Sequence, residues 1–339
     1  MREDEFGELA ATYRAELHAH CYRMLGSVHD AEDALQDALL RAWRGVDGFE
    51  GRGSVRSWLY SIATNTALDV ARRRSRRELA VDIGTPADVG AELDAPLTDL
   101  SWLEPYPDRW LAVDTEPSPE ARYEHRESVE LAFVAALQYL PALQRAVLLL
   151  REVAGFSAAE IADHIGTSQP SVTSALQRAR APMQARLPAR SQQSTLRMLG
   201  DRRTREIVDR YANAMERGDI EALVGMLTAD VTWSMPPVPT WFRGVESTRD
   251  FLLRYPLTDQ WKHRPTRANG QLAVAGYVFD RDKDVFVAAA IDVLTLDGAR
   301  IAAVTGFLTA DLLSPENAGG WVSGADLFDR FGVPAMAPA

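Results

Sequence analysis

Five of the six residues from Arg72 to Arg77 are arginines, a density that marks a surface built to meet phosphate. Just upstream, Asn65, Asp69, Arg72 and Arg76 fall at i, i+4, i+7 and i+11, so one helical face carries an amide, a carboxylate and two guanidiniums. Recognition by charge and hydrogen bonding is the chemistry these groups offer. The residues for other chemistries are scarce. Cys21 is the only cysteine, which excludes an internal disulfide and a thiolate zinc cluster and fits a reducing cytoplasm. No His, Asp and Glu cluster has metal-ligand spacing, and neither a G-x-G-x-x-G motif nor a P-loop occurs. No metal and no cofactor is expected.

The elements that must position these groups follow from periodicity. Over Asp30–Arg44, Ala31, Ala34, Leu35, Ala38, Leu39, Ala42 and Trp43 form one apolar helical stripe, with Glu32, Asp33, Gln36, Asp37 and Arg41 opposite. A loop punctuated by Gly48, Gly51 and Gly53 precedes a second helix from about Val55, buried through Leu59, Ile62, Ala63, Thr66 and Val70. Residues 78–126 then hold six prolines and no sustained period. Between Glu78 and Ser128 thirteen carboxylates face three arginines, so nearly all of the net charge of −11 sits there. That composition reads as a mostly extended acidic linker, although the patch Trp102-Leu103-Glu104-Pro105-Tyr106-Pro107-Asp108-Arg109-Trp110 is aromatic enough to dock on a surface. Helix returns over 127–187. There Ser157-Ala158-Ala159-Glu160 is a capping box, Gly166 makes a turn, and Thr167 or Ser168 caps the next helix: a helix-turn-helix.

The chain is long enough, at 339 residues, for two or three domains. A helix over Arg203–Arg217 leads into strand-like runs at Val231–Met235, Leu272–Phe279, Val285–Leu296 and Arg300–Leu308. Asn269-Gly270 and Asp297-Gly298 are hairpin signals between them. A helix followed by a curled antiparallel sheet is an α+β domain, assigned to 201–312. Residues 313–339 read as a loose tail. No signal peptide and no membrane span is expected, which points to the cytoplasm.

Three stretches resemble, in order, the extracytoplasmic-function group of the sigma-70 family. Asp30–Trp43 resembles its polymerase-binding helix, Ser57–Arg74 its promoter-melting and −10-reading helix, and Leu140–Arg180 its −35-reading domain. The resemblance implies region 2 at 1–77 and region 4 at 127–187, with core RNA polymerase (its β′ clamp helices and β flap) and promoter DNA as partners. Asp33, Gln36, Asp37 and Arg41 would contact the clamp helices; an ordinary solvated face is the other reading of that stripe. A base flipped from the −10 element would be held by the glycine loop and the next helix. Phe49, Trp58 and Tyr60 would supply stacking, Asn65 a base-edge contact, and Arg52, Arg56, Arg72 and Arg73 a backbone track, joined on the same face by Asp69 and Arg76. Core packing is the alternative for Trp58.

In region 4, Ser168, Gln169, Ser171, Thr173 and Ser174 would reach bases or phosphates, and Arg178 and Arg180 phosphates. Thr173 and Ala175 stand where the family often has basic residues, which implies a weaker or differently specified −35 contact. The acidic linker would mimic nucleic acid in a basic polymerase channel and repel DNA from the free protein; a solvated spacer is the other reading.

Residues 201–310 resemble the SnoaL-like, cystatin-like α+β barrels, on Arg210–Asp219, Ala229–Pro237 and Trp241–Gly244. Such barrels hold a conical pocket, for which Trp233, Met235, Trp241, Phe242, His263, Tyr277 and Asp292 are the lining candidates. Asp292, flanked by Ala290, Ile291 and Val293, is the candidate general base if the pocket turns a substrate over. A pocket-shaped core without turnover is the alternative, and a regulatory domain rather than an enzyme is expected. The resemblance admits a separate anti-sigma protein or a small-molecule ligand of this domain as further partners. Two other functions compete: a ligand-responsive helix-turn-helix regulator, and an isomerase or cyclase with a DNA-binding module. The first leaves Asp30–Trp43 and Ser57–Arg77 unexplained, and the second would need turnover that depends on Asp292 or His263.

Overall fold

The computed structural model describes residues 3–46, 54–111, 124–313, 318 and 321–338. They form two compact units, the first combining 1–77 with 110–189 and the second 78–109 with 190–339.

In the first unit α1 (Glu3–Leu25), α2 (Val28–Gly45) and α3 (Val55–Ala71) pack against one another. Serine caps start two of them: Ser27 accepts from the Asp30 amide, and Ser54 from the Ser57 amide. Ala31, Ala34, Leu35, Ala38 and Ala42 are buried as the stripe on α2 requires. Trp43 departs from it at 38% exposure, and Leu40 stands out at 54%. Four helices follow: α4 (Leu131–Gln138), α5 (Ala142–Leu148), α6 (Ala158–Ile165) and α7 (Gln169–Arg186). A π-helical turn, Leu149–Val153, extends α5. The capping box forms, with the Ser157 amide donating to Glu160 and the Glu160 amide to Ser157 Oγ. Gly166 ends α6 at φ +64°, where a side chain would be strained, and Ser168 caps α7. The pair α6–α7 is the expected helix-turn-helix.

The second unit begins its helices with α8 (Gln192–Arg217), two helical stretches joined at Gly200 (φ 71°, ψ 164°). It also contains α9 (Ile220–Val224), α10 (Val245–Arg254) and α11 (Gly324–Phe331). The strands are β1 (Leu227–Met235), β2 (Val238–Arg243), β3 (Trp261–Ala268), β4 (Gln271–Asp280), β5 (Val285–Asp297), β6 (Arg300–Leu308) and β7 (Met336–Pro338). Their order is β2-β1-β6-β5-β4-β3, with β7 paired to β5. Every pair is antiparallel except β1 with β6. Asn269 and Gly270, both at positive φ, turn β3 into β4 as that dipeptide favours. Tyr211, Trp233, Phe242 and Phe251 join Val274, Leu294 and Val304 in the core beneath α8.

Two expectations fail here. Residues 78–109 are not an extended spacer but a strap across the sheet unit. Trp102 is 0% exposed and packs with Ala80 and Trp241, while Leu103 and Tyr106 are also buried. The strap's backbone is tied as well: the Ala87 amide donates to Trp241 O (2.7 Å), the Leu97 amide to Pro237 O (2.9 Å), and the Asn269 amide to Tyr106 O (2.8 Å). Burying these aromatic rings outweighs the ordering cost that the average acidic composition emphasised. Residues 112–123 lie outside the described residues. The C-terminal stretch is no loose tail either: α11 buries Leu327, Phe328 and Phe331, and β7 joins the sheet.

Candidate nucleic-acid interface and barrel site

On α2, Asp33, Gln36, Asp37 and Arg41 are all exposed on one face. Arg41 pairs with Asp37 at 2.7 Å and reaches Asp69 of α3 at 3.5 Å, while Gln36 Nε2 donates to Glu32 Oε1. Half-exposed ion pairs of this kind add little stability, so they leave the face available. Beside it Phe6, Leu39, Leu40 and Trp43 line an open groove of about 470 Å³. A polar stripe next to an apolar groove has the composition of a protein-binding surface. Leu39 and Trp43 were expected on the buried stripe; the groove needs Phe6 from α1, which periodicity within α2 does not reveal.

The −10 candidates on α3 divide. Phe49 and Arg52 lie outside the described residues. Arg56 donates to Glu16 Oε1 and to Ala154 O (3.1 Å), its guanidinium lying over the rings of Tyr60 and Phe156. Asn65 Nδ2 donates to His164 O at 2.7 Å, Ser61 Oγ to the same oxygen at 3.1 Å, and Ser57 Oγ contacts His164 Nε2 at 2.7 Å. Helix α6 therefore covers the N-terminal half of α3. Tyr60, expected as a stacking surface, is buried with its hydroxyl donating to Glu16. Trp58 is half-buried, near Gly45. Asp69 pairs with Arg72 at 3.2 Å, Arg73 is exposed, and Arg76 lies over Tyr139 at 4.1 Å.

On α7, Ser168, Gln169, Ser171, Thr173, Ser174, Arg178 and Arg180 are exposed together. Ser168 and Ser171 hydroxyls bond each other at 2.9 Å, Thr173 donates back to Gln169 O, and Arg180 pairs with Glu152 at 2.9 Å. Gln177, one turn beyond Thr173, is exposed as well. Sequence reasoning passed over it, although its i+8 spacing from Gln169 was visible.

In the sheet unit the register brings His263 opposite Gly276, and Asp292 opposite both Val274 and Gly306. All face the core beneath α8, from which the Tyr211 hydroxyl donates to Asp292 Oδ2 at 2.9 Å. Gly306 is required, since a Cβ there would stand 2.8 Å from Asp292 Oδ1. Burial pushes the Asp292 carboxyl up to about 6 and holds the His263 imidazole down at about 4. Glu216 stands 4.0 Å from His263 Nδ1, and the Trp261 ring stacks on the imidazole. Trp233, Met235 and Phe242 belong to the same core. The other two lining candidates do not. Tyr277 sits opposite Lys262, hence on the face away from His263, with its ring against Phe328. Trp241 packs in the strap cluster, its indole donating to Gly84 O. Tyr211 was missed; a tyrosine on the inward face of a helix over a lone buried Asp was its only signal.

Family models match the chain in three places: Sigma-70 region 2 at residues 9–77, Sigma-70 region 4 at 130–183, and a SnoaL-like domain at 208–304. The ECF RNA polymerase sigma factor SigG of Mycobacterium tuberculosis is 40% identical over 337 residues, which is 98% of this chain and 85% of that protein. The chain belongs to the ECF sigma factors. SigJ of the same organism is 29% identical over 259 residues, 75% of this chain and 72% of that protein. The crystal structure of SigJ aligns with a TM-score of 0.55 at 22% identity, covering 90% of this chain and 97% of that one, a likeness of fold. In this ECF sigma factor the region 2 match runs from within α1 through α3, the region 4 match from α4 into α7, and the sheet unit carries the SnoaL-like match. No helix among the described residues is long and apolar enough to cross a membrane.

Proposed function

We propose that this ECF sigma factor binds core RNA polymerase through the exposed face of α2 and directs promoter-specific initiation. The family match over 98% of the chain carries that reading. Asp33, Gln36, Asp37 and Arg41 meet the β′ clamp helices, and region 4 meets the β flap and the −35 element through the exposed face of α7. Asn65, Asp69, Arg72, Arg73 and Arg76 serve the −10 element. Because α6 bonds to Asn65, and Ala154 and Phe156 just before it engage Arg56 in this arrangement, the two regions must part before α3 meets DNA. Core polymerase supplies that separation in our reading. The expected weakness of free promoter binding then has a steric cause besides the acidic charge.

The SnoaL-like domain is a regulator here and not an enzyme. The strap supports this, since the connector between regions 2 and 4 is held along the sheet unit by Trp102 and Tyr106. A domain that holds the connector also limits how far the two regions can separate. The direct test is core binding by an Asp37→Arg, Arg41→Glu double variant, both positions being exposed. At least a tenfold loss of affinity, with unchanged circular dichroism, is expected; unaltered affinity contradicts the assignment of this face.

A further inference from the structure

The arginine run Arg72–Arg77 does not lie along one open surface. Arg72, Arg73 and Arg74 are exposed, but Arg74 and Arg77 turn back onto Asp30, with Arg74 Nη2 3.0 Å from its Oδ1 and Arg77 on its Oδ2. Together with Arg76 and Arg145 they line a cleft of about 180 Å³, formed by the end of α3, the end of α1, and the chain from Gln138 into α5. Among the described residues its lining holds four guanidinium groups and the carboxylate of Asp30.

Arg145 is the buried arginine of this lining. It is 7% exposed, and no carboxylate among the described residues pairs with it. Its Nη1 donates to Met24 O and Gln138 Oε1 (2.7 Å), and its Nη2 to Gln138 O (3.1 Å) and Leu140 O (3.2 Å). These neutral acceptors, several at helix ends, offset the charge only in part. The buried Nε has no hydrogen-bond partner. Burial pulls the guanidinium down to about 10, as it does for a cation short of a counter-ion. Arg186 adds to the local positive field from the far side of Tyr139, at 3.9 Å from the ring. The Nη atoms of Arg145 are engaged, so the donor it has left is the Nε–H, which beside Arg74 in a partly enclosed cleft suits an oxygen of a phosphate-type dianion.

We propose that this cleft binds a small phosphate-bearing ligand through its phosphate or pyrophosphate group, held by Arg74 and Arg145. The lining comes from both sigma regions, so occupancy stabilises their packing by linkage. The same pair of regions carries the Asn65–His164 contact, and a bound anion therefore favours the arrangement in which α3 is covered. That consequence rests on the sigma-factor reading; the site itself does not.

The test uses the full-length chain titrated with inorganic pyrophosphate, then phosphate, at constant ionic strength, followed by calorimetry and thermal unfolding. Saturable binding and a rise in Tm are expected. Arg74→Ala should weaken binding at least tenfold, while Arg44→Ala, an exposed residue of α2 outside the cleft, leaves it within twofold. The Arg74 side chain is 52% exposed and its substitution spares the Arg77–Asp30 pair, so the variant should fold. Lack of saturable binding at millimolar pyrophosphate overturns the proposal, as does equal binding by the Arg74→Ala chain. A third outcome, in which Arg74→Ala weakens duplex DNA binding while pyrophosphate does not bind, makes the cleft a reader of the DNA backbone and overturns it too.

Discussion

Asp292 and His263 share a core-facing surface but respond to pH in opposite directions. Desolvation lifts Asp292 from 3.8 to about 6, so the folded chain keeps a proton that the unfolded chain has already lost. The stability from that proton is present below about pH 4 and is lost as pH rises through 6. His263, lowered from 6.5 to about 4, is protonated first in the unfolded chain, so stability is lost as pH falls between those values. An Asp292→Asn chain is expected to exceed the parent in stability by about 1–3 kcal/mol at pH 7.5, with the difference shrinking toward zero at pH 4. Denaturant unfolding at the two pH values checks this, and a variant equally destabilised at both would contradict it. Asp292 could be picked out in the sequence because a lone carboxylate among apolar strand residues stands out. Tyr277 could not be oriented as easily. Both faces of β4 are buried, its sequence Leu272-Ala273-Val274-Ala275-Gly276-Tyr277 is apolar throughout, and the usual alternation that separates inside from outside is absent. Trp241 was misplaced because β2 was not foreseen as a strand, so its alternation with inward Phe242 could not be applied.

At the scale of elements, helices with a one-sided stripe and a capping serine were legible from local sequence: α2, α3, α6 and α7 each carry their own start signal. Strands β1, β4, β5 and β6 were legible as apolar runs, as were the turns at Asn269-Gly270 and Asp297-Gly298. The strap was not. Its aromatic patch announced a docking segment, but the docking surface lies more than a hundred residues away in the chain, and no local pattern encodes that pairing. Trp102→Ala should cost about 3–5 kcal/mol of the strap's attachment. Hydrogen exchange at the Ala87 and Leu97 amides, which bond to Trp241 O and Pro237 O, should accelerate strongly; unchanged protection would mean the strap is held by other contacts. At the junction of regions 2 and 4, Asn65→Ala removes a donor to His164 O, a loss of about 1 kcal/mol. Faster exchange within α6 is the expected result, and no change there would show that Asn65 does not fasten the two regions.

For the whole molecule, the order of motifs made the family readable before any contact was seen, because three moderately specific patterns at fixed spacing exclude most alternatives. What could not be read was the arrangement in which region 4 covers the N-terminal half of α3. That contact joins residues about a hundred positions apart through backbone oxygens such as His164 O, to which sequence patterns are blind. In the proposed reading this arrangement ties function to core polymerase: α3 is partly covered and the connector strapped, so binding would have to reorganise the chain before α3 could serve the −10 element. Promoter-directed transcription tests this claim most directly, with full-length protein, purified core polymerase and a promoter library. The prediction is specific initiation only when core and this protein are both present, with little promoter retention by the protein alone. Initiation from no promoter, together with no binding to core, would contradict it.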